Sequence, residues 1–125
     1  MTSFFDITST LPWPNAIGKR TAVGPLVGAA ESEAISELAK TTPLILVITA
    51  TTAAAHNLAS ELPFFLSDDR EILLVPDWET LPYDNFSPHE DIVSDRLKAL
   101  SRLPTLKSGV VIVSVTTLMH RLAPR

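Results

Sequence analysis

The residues best placed for chemistry lie in Gly24–Ser32, GPLVGAAES, between a short apolar run and a segment of helical spacing. A phosphate-binding loop has the form GxxxxGK[ST]. Its glycines let backbone amides wrap the phosphates, its lysine reaches the terminal ones and its hydroxyl ligates magnesium. With Ser32 in the hydroxyl position, Glu31 stands where the lysine belongs, Ala30 replaces the second glycine and Pro25 the first. Glu31 is worse than a neutral loss, because it sets a carboxylate beside a charge the loop should neutralise. Gly28 and Ser32 remain, so the strand-to-helix turn is expected without the chemistry. Gly28 then sits near a helix cap, with acidic residues in a first turn that the helix dipole favours.

Other chemical patterns are weaker. ILLVPDWE, Ile72–Glu79, resembles a strand ending in metal-coordinating acids, but Pro76 displaces Asp77 by one residue, and there is no phosphate lysine for it to act with. The carboxylates from Asp77 to Asp95 lack the order of a calcium loop, and His56, His89 and His120 lack zinc-ligand spacing. No GxSxG elbow accompanies the serines. The expectation is a segment without catalysis, cofactor or metal.

The elements that would position these residues are legible in the apolar pattern. LILVIT (Leu44–Thr49), ILLV (Ile72–Val75) and VVIVSV (Val110–Val115) are near-continuous apolar runs, as expected of parallel strands covered on both faces. A weaker strand is expected at Arg20–Val23. One amphipathic helix aligns Ala34, Ile35, Leu38 and Ala39 and must end before Pro43. A second, within Thr51–Leu62, aligns Ala55, Leu58, Ala59 and Leu62. SPHE suggests a third, with Ser87 as N-cap, Pro88 at the first position, Glu90 completing a capping box and Val93, Leu97 and Leu100 facing inward. Thr116 is expected to cap a last helix running to Arg125. The alternation predicts an α/β domain of three layers around a mainly parallel sheet. Residues 1–19, with Trp13 between Pro12 and Pro14, read as an N-terminal arm, and residues 20–125 as the domain.

At 125 residues, 46% apolar and 19% charged, the chain can bury one core. It contains no cysteine, no apolar run approaching the roughly 20 residues of a membrane span and no basic, apolar leader; a cytoplasmic location is expected. Its net charge of −4 is unevenly spread: Asp68 to Asp95 holds nine carboxylates and only Arg70, whereas all six charges after Asp95 are basic. An acidic chain is a poor general polyanion binder. Arg96, Lys98, Arg102 and Lys107 nevertheless form the candidate DNA contact, the alternative to a scaffold role.

The most unusual stretch is Val75–Leu97, where Trp78, Tyr83 and Phe86 stand among prolines and acids in a loop, a candidate partner surface. DWETLPYDNFSPHEDIVSDRL closely resembles the N-terminal, UvrB-like region of the bacterial transcription-repair coupling factor (Mfd) family. GVVIVSVTTLMHRLAP, LILVITATTAAAHNLASEL and, more loosely, GPLVGAAES extend the likeness over nearly everything after Arg20. The resemblance implies a fold like UvrB domain 1a with a degenerate P-loop, within a protein that releases RNA polymerase stalled at DNA lesions, translocates on DNA with ATP and recruits UvrA for nucleotide excision repair. It places the motor and the polymerase-binding and UvrA-binding residues outside this chain, whose partners are then the remainder of the parent protein, with DNA binding weak or absent. The loop corresponding to Asp77–Pro88 is too short for UvrB's DNA-gripping hairpin. A sheet completed elsewhere leaves an apolar edge here, so self-association is expected.

Overall fold

The computed structural model describes residues 11–67, 69–79, 85 and 87–121. Its elements are α1 (Ala30–Thr41), β1 (Leu44–Thr49), α2 (Thr52–Glu61), β2 (Ile72–Leu74), α3 (Glu90–Arg102), β3 (Gly109–Ser114) and α4 (Val115–Leu118). The strands form one open parallel sheet in the order β1-β3-β2, with Leu46 and Leu73 both opposite Val111. Every residue of the central strand β3 is buried. The fold is α/β, as the alternation of strand and helix patterns predicts.

Two cores flank the sheet. On one face Ala39 of α1 and Ala55, Leu58 and Leu62 at α2 close over Ile45, Val110 and Ile112. On the other, Ala99 of α3 joins Leu106 over Val75, Val111 and Val113. The α2 stripe is as expected, with Leu62 fully excluded from water and Thr51 capping the helix by accepting the Ala54 N–H at 3.1 Å. The end of α1 is fixed from a distance: the Arg70 guanidinium donates to the carbonyls of Ala39 (2.5 Å) and Pro43 (2.9 Å). It thereby satisfies acceptors that a helix terminus leaves over.

Four local expectations are corrected. Residues 11–29 contain turns but no strand, and Arg20–Val23 is exposed without a partner strand. Helix α3 begins two residues later than a Ser87 cap requires: His89 is the N-cap, its Nδ1 accepting the Asp91 N–H at 3.3 Å, and Pro88 stays outside the helix. On α3, Leu97 points outward at 62% exposure and Arg96 takes the inward position at 2%. The last helix is capped by Ser114, not Thr116, because the Ser114 hydroxyl is within reach of the Thr117 N–H (3.3 Å) and of both threonine hydroxyls. That helix ends at Leu118, and residues 122–125 lie outside the described residues.

The three apolar runs are also covered unequally. Leu44, Leu46 and Ile48 of β1 remain 45%, 57% and 51% exposed, because α3 packs over β2 and β3 and does not reach β1.

Candidate functional site

The loop before α1 turns at Gly28, and the groups that follow it are engaged within the fold. Gly28 has φ +64° and nothing near the space a side chain would occupy, so the left-handed turn alone asks for glycine there. Ala29 is the N-cap and supplies no side-chain cap. Glu31 is exposed in the first helical turn and Ala30 is half-buried. Ser32, in the position of a magnesium-ligating hydroxyl, is fully buried, and its Oγ donates to Glu61 Oε2 at 3.0 Å. The hydroxyl is therefore tied to the end of α2.

Beside this loop is a hollow of about 460 Å³ walled by Trp13, Leu26, Ile35, Val47 and Leu58. Among its lining residues Glu31 carries the one charge. An apolar hollow with a carboxylate at its rim offers a triphosphate no neutralising group. Among the described residues no group of three or more His, Cys, Asp or Glu side chains converges as a metal site.

A second cluster forms beyond the carboxyl end of β2. The Arg96 guanidinium donates from Nη1 to the Pro76 carbonyl at 2.9 Å and lies over the Trp78 ring, 4.8 Å from its centroid. Burial pushes the Arg96 pKa below its ordinary value, with the nearby Asp77 carboxylate acting in the opposite sense. Asp77 Oδ1 accepts the Trp78 N–H at 2.9 Å and stands 3.6 Å from His120 Nδ1, which is buried without a hydrogen-bond partner. Glu79 follows with φ 58°, a left-handed backbone uncommon for a residue with a side chain. His120 and Asp77, read as unrelated in sequence, are thus neighbours. Nothing local to either residue signals it, because the two are brought together only by the parallel pairing of β2 with β3, the strand that leads into α4.

Of the candidate partner surface, Trp78 is half-buried under Arg96, and Tyr83 and Phe86 lie outside the described residues. The basic side chains named as a DNA contact are dispersed in role. Arg96 is buried in the cluster above. Arg102 grips Glu71 through Nε (3.0 Å) and Nη2 (2.7 Å), Lys98 reaches Asp95 at 3.3 Å, and Lys107 is exposed. Arg102 thereby lowers the Glu71 pKa through a charge-assisted hydrogen bond.

Fold and site together define an α/β domain with an open parallel sheet, in which the loop before α1 leaves Glu31 exposed and ties the Ser32 hydroxyl to Glu61. No protein-family model matches the chain. It is 42% identical over 113 residues, 89% of its length, to the transcription-repair-coupling factor of Escherichia coli, and 43% identical over 103 residues to that of Haemophilus influenzae. The factor of Mycobacterium tuberculosis is 42% identical over 99 residues. The chain belongs, as a segment, to the transcription-repair-coupling factor family. It spans about a tenth of the length of these relatives.

Proposed function

We propose that the chain is a non-catalytic scaffold segment of a transcription-repair coupling factor. In this reading the ATP-driven motor, the release of stalled RNA polymerase and the recruitment of UvrA belong to the parent protein and are carried by residues outside this chain. A cytoplasmic location goes with it; no helix among the described residues is long and apolar enough to cross a membrane.

The observation that carries the reading is the fate of the loop before α1. Glu31 stands in the cation's position, and the Ser32 hydroxyl is consumed by Glu61 at 3.0 Å. A residual DNA contact receives less support, since Arg96 is buried and Arg102 is paired with Glu71. The test is twofold. Purified chain is assayed for ATP turnover, and immobilised chain is compared with a version extended beyond Arg125 for capture of UvrA. The reading predicts no turnover and capture only by the extended version. ATP hydrolysis abolished by Ser32→Ala, or robust UvrA capture by the 125 residues alone, would overturn it.

A further inference from the structure

Just beyond β2 the backbone is held in an arrangement that its own residues do not favour. Glu79 has φ 58°, in the left-handed region that a residue with a Cβ seldom adopts. Its side chain is exposed, so burial offers no compensation. Two residues earlier, Asp77 Oδ1 stands 3.6 Å from His120 Nδ1, a buried atom without a hydrogen-bond partner. A displacement of well under ~1 Å would close that gap into a hydrogen bond. Between these two unfavourable features lies one strong contact, the Arg96 guanidinium 4.8 Å from the centroid of the Trp78 ring. The same guanidinium donates to the Pro76 carbonyl at 2.9 Å, and Arg96 is only 2% exposed. Its place is set by the helix. Ala99, three residues on along the same face of α3, is packed in the core with Val75 and Val111. The helix is therefore the fixed side of the contact, and residues 77–79 are the side that yields.

We propose that residues 77–79 form a two-position catch, strained at Glu79 and held by Arg96. In the held position the Trp78 ring lies under the guanidinium, Glu79 is left-handed and Asp77 stops short of His120. In the released position Trp78 leaves the guanidinium, Glu79 returns to an ordinary backbone region and Asp77 accepts a hydrogen bond from His120 Nδ1. A backbone outlier persists only where its surroundings over-determine it, and here the desolvated cation over the indole supplies the determination. The held position thus trades backbone strain and an unmade hydrogen bond for one stacked cation. Opposing terms of similar size are what make a local element bistable, so that a modest perturbation shifts its population. The connection from β2 to α3 starts at these residues, and the catch sets how the chain leaves the sheet there.

The test is whether the strain at Glu79 depends on the clamp. Glu79→Gly removes the steric objection to the left-handed turn and is expected to raise the folding equilibrium constant about fivefold in urea unfolding. Arg96→Met replaces the cation with an unbranched apolar side chain. In that background Glu79→Gly is expected to bring no gain, because the turn is no longer imposed. Trp78→Leu breaks the same contact from the other side and is expected to abolish the gain equally, which keeps the test decisive if Arg96→Met does not fold; circular dichroism verifies the fold of each variant. Release is read separately in a Trp13→Phe background, which leaves Trp78 as the one indole. There Arg96→Met is expected to increase acrylamide quenching of Trp78 about twofold or more by uncovering the ring. Absence of a gain from Glu79→Gly in the parent chain, the same gain with and without the Arg96–Trp78 contact, or Trp78 quenching indifferent to Arg96→Met would each overturn the proposal.

Discussion

Replacing Gly109 with alanine should unbalance the sheet more than its small size suggests. Gly109 opens the central strand at φ +137°, and an added Cβ would lie 2.4 Å from the backbone carbonyl oxygen of Glu71. That oxygen cannot simply swing away, because it accepts the Val110 N–H at 2.8 Å and so holds β2 to β3. The backbone conformation alone costs about 1–3 kcal/mol for a residue with a side chain. Relieving the collision by lengthening the ladder bond costs about 1 kcal/mol more. A total of about 2–4 kcal/mol is a large fraction of the roughly 5–15 kcal/mol that holds a domain folded. The assay is urea unfolding followed by circular dichroism at low protein concentration, with Gly18→Ala as the comparison. Gly18 also has positive φ, at +80°, but its added Cβ would meet nothing within 4 Å. It should lose only about 1–2 kcal/mol, the penalty for the left-handed conformation. Equal losses for the two variants would refute the argument, since only Gly109 faces a fixed carbonyl.

Three further outcomes follow from the packing. Leu62→Ala empties a fully buried position at the end of α2 and should cost about 2–5 kcal/mol in the same unfolding assay; a loss under 1 kcal/mol would contradict its place in the core. Arg70→Ala strands the carbonyl of Ala39 and removes one of the two donors at the Pro43 carbonyl, which keeps the Gly109 N–H, and should cost about 2 kcal/mol, whereas Lys40→Ala, whose amine pairs with Glu37 at the surface, should change stability by less than about 0.5 kcal/mol. The Glu71 carboxyl is held below its ordinary value by Arg102, so its contribution is fully present above the unfolded glutamate range and is lost as pH falls through the lowered native value. The stability difference between the parent chain and Arg102→Met should therefore be largest near neutral pH and vanish in acid; a difference that grew on acidification would be inconsistent with the pair.

Much of this fold is legible in the sequence because its signals are local. The uninterrupted run Val110–Val113 is buried on both faces, and the stripe Ala55, Leu58, Leu62 lies on the core side of a helix that Thr51 caps. The misses share a cause, which is that coverage and pairing are properties of neighbours. LILVIT reads like the β3 run, yet among the described residues β1 has no strand beyond it and no helix over one face, so three of its five apolar side chains meet water. Hydrophobic periodicity places Leu97 inside, but a guanidinium that can reach the Pro76 carbonyl and the Trp78 ring is accommodated there instead, turning the helix so that Leu97 faces out. Capping at Ser87 is the natural reading of SPHE, whereas the chain enters α3 through His89.

The candidate site divides in the same way. Glu31 and Ala30, at odds with the GxxxxGK[ST] pattern, are readable without any structure. The diversion of the Ser32 hydroxyl to Glu61, 29 residues along the chain, and the meeting of Asp77 with His120 are tertiary contacts that no spacing rule anticipates.

Calorimetric titration of the chain with Mg-ATP is the most direct test of the scaffold reading. With a carboxylate at position 31 and the hydroxyl of residue 32 already bonded, no saturable heat is expected. Micromolar, magnesium-dependent binding that Ser32→Ala weakens would contradict it.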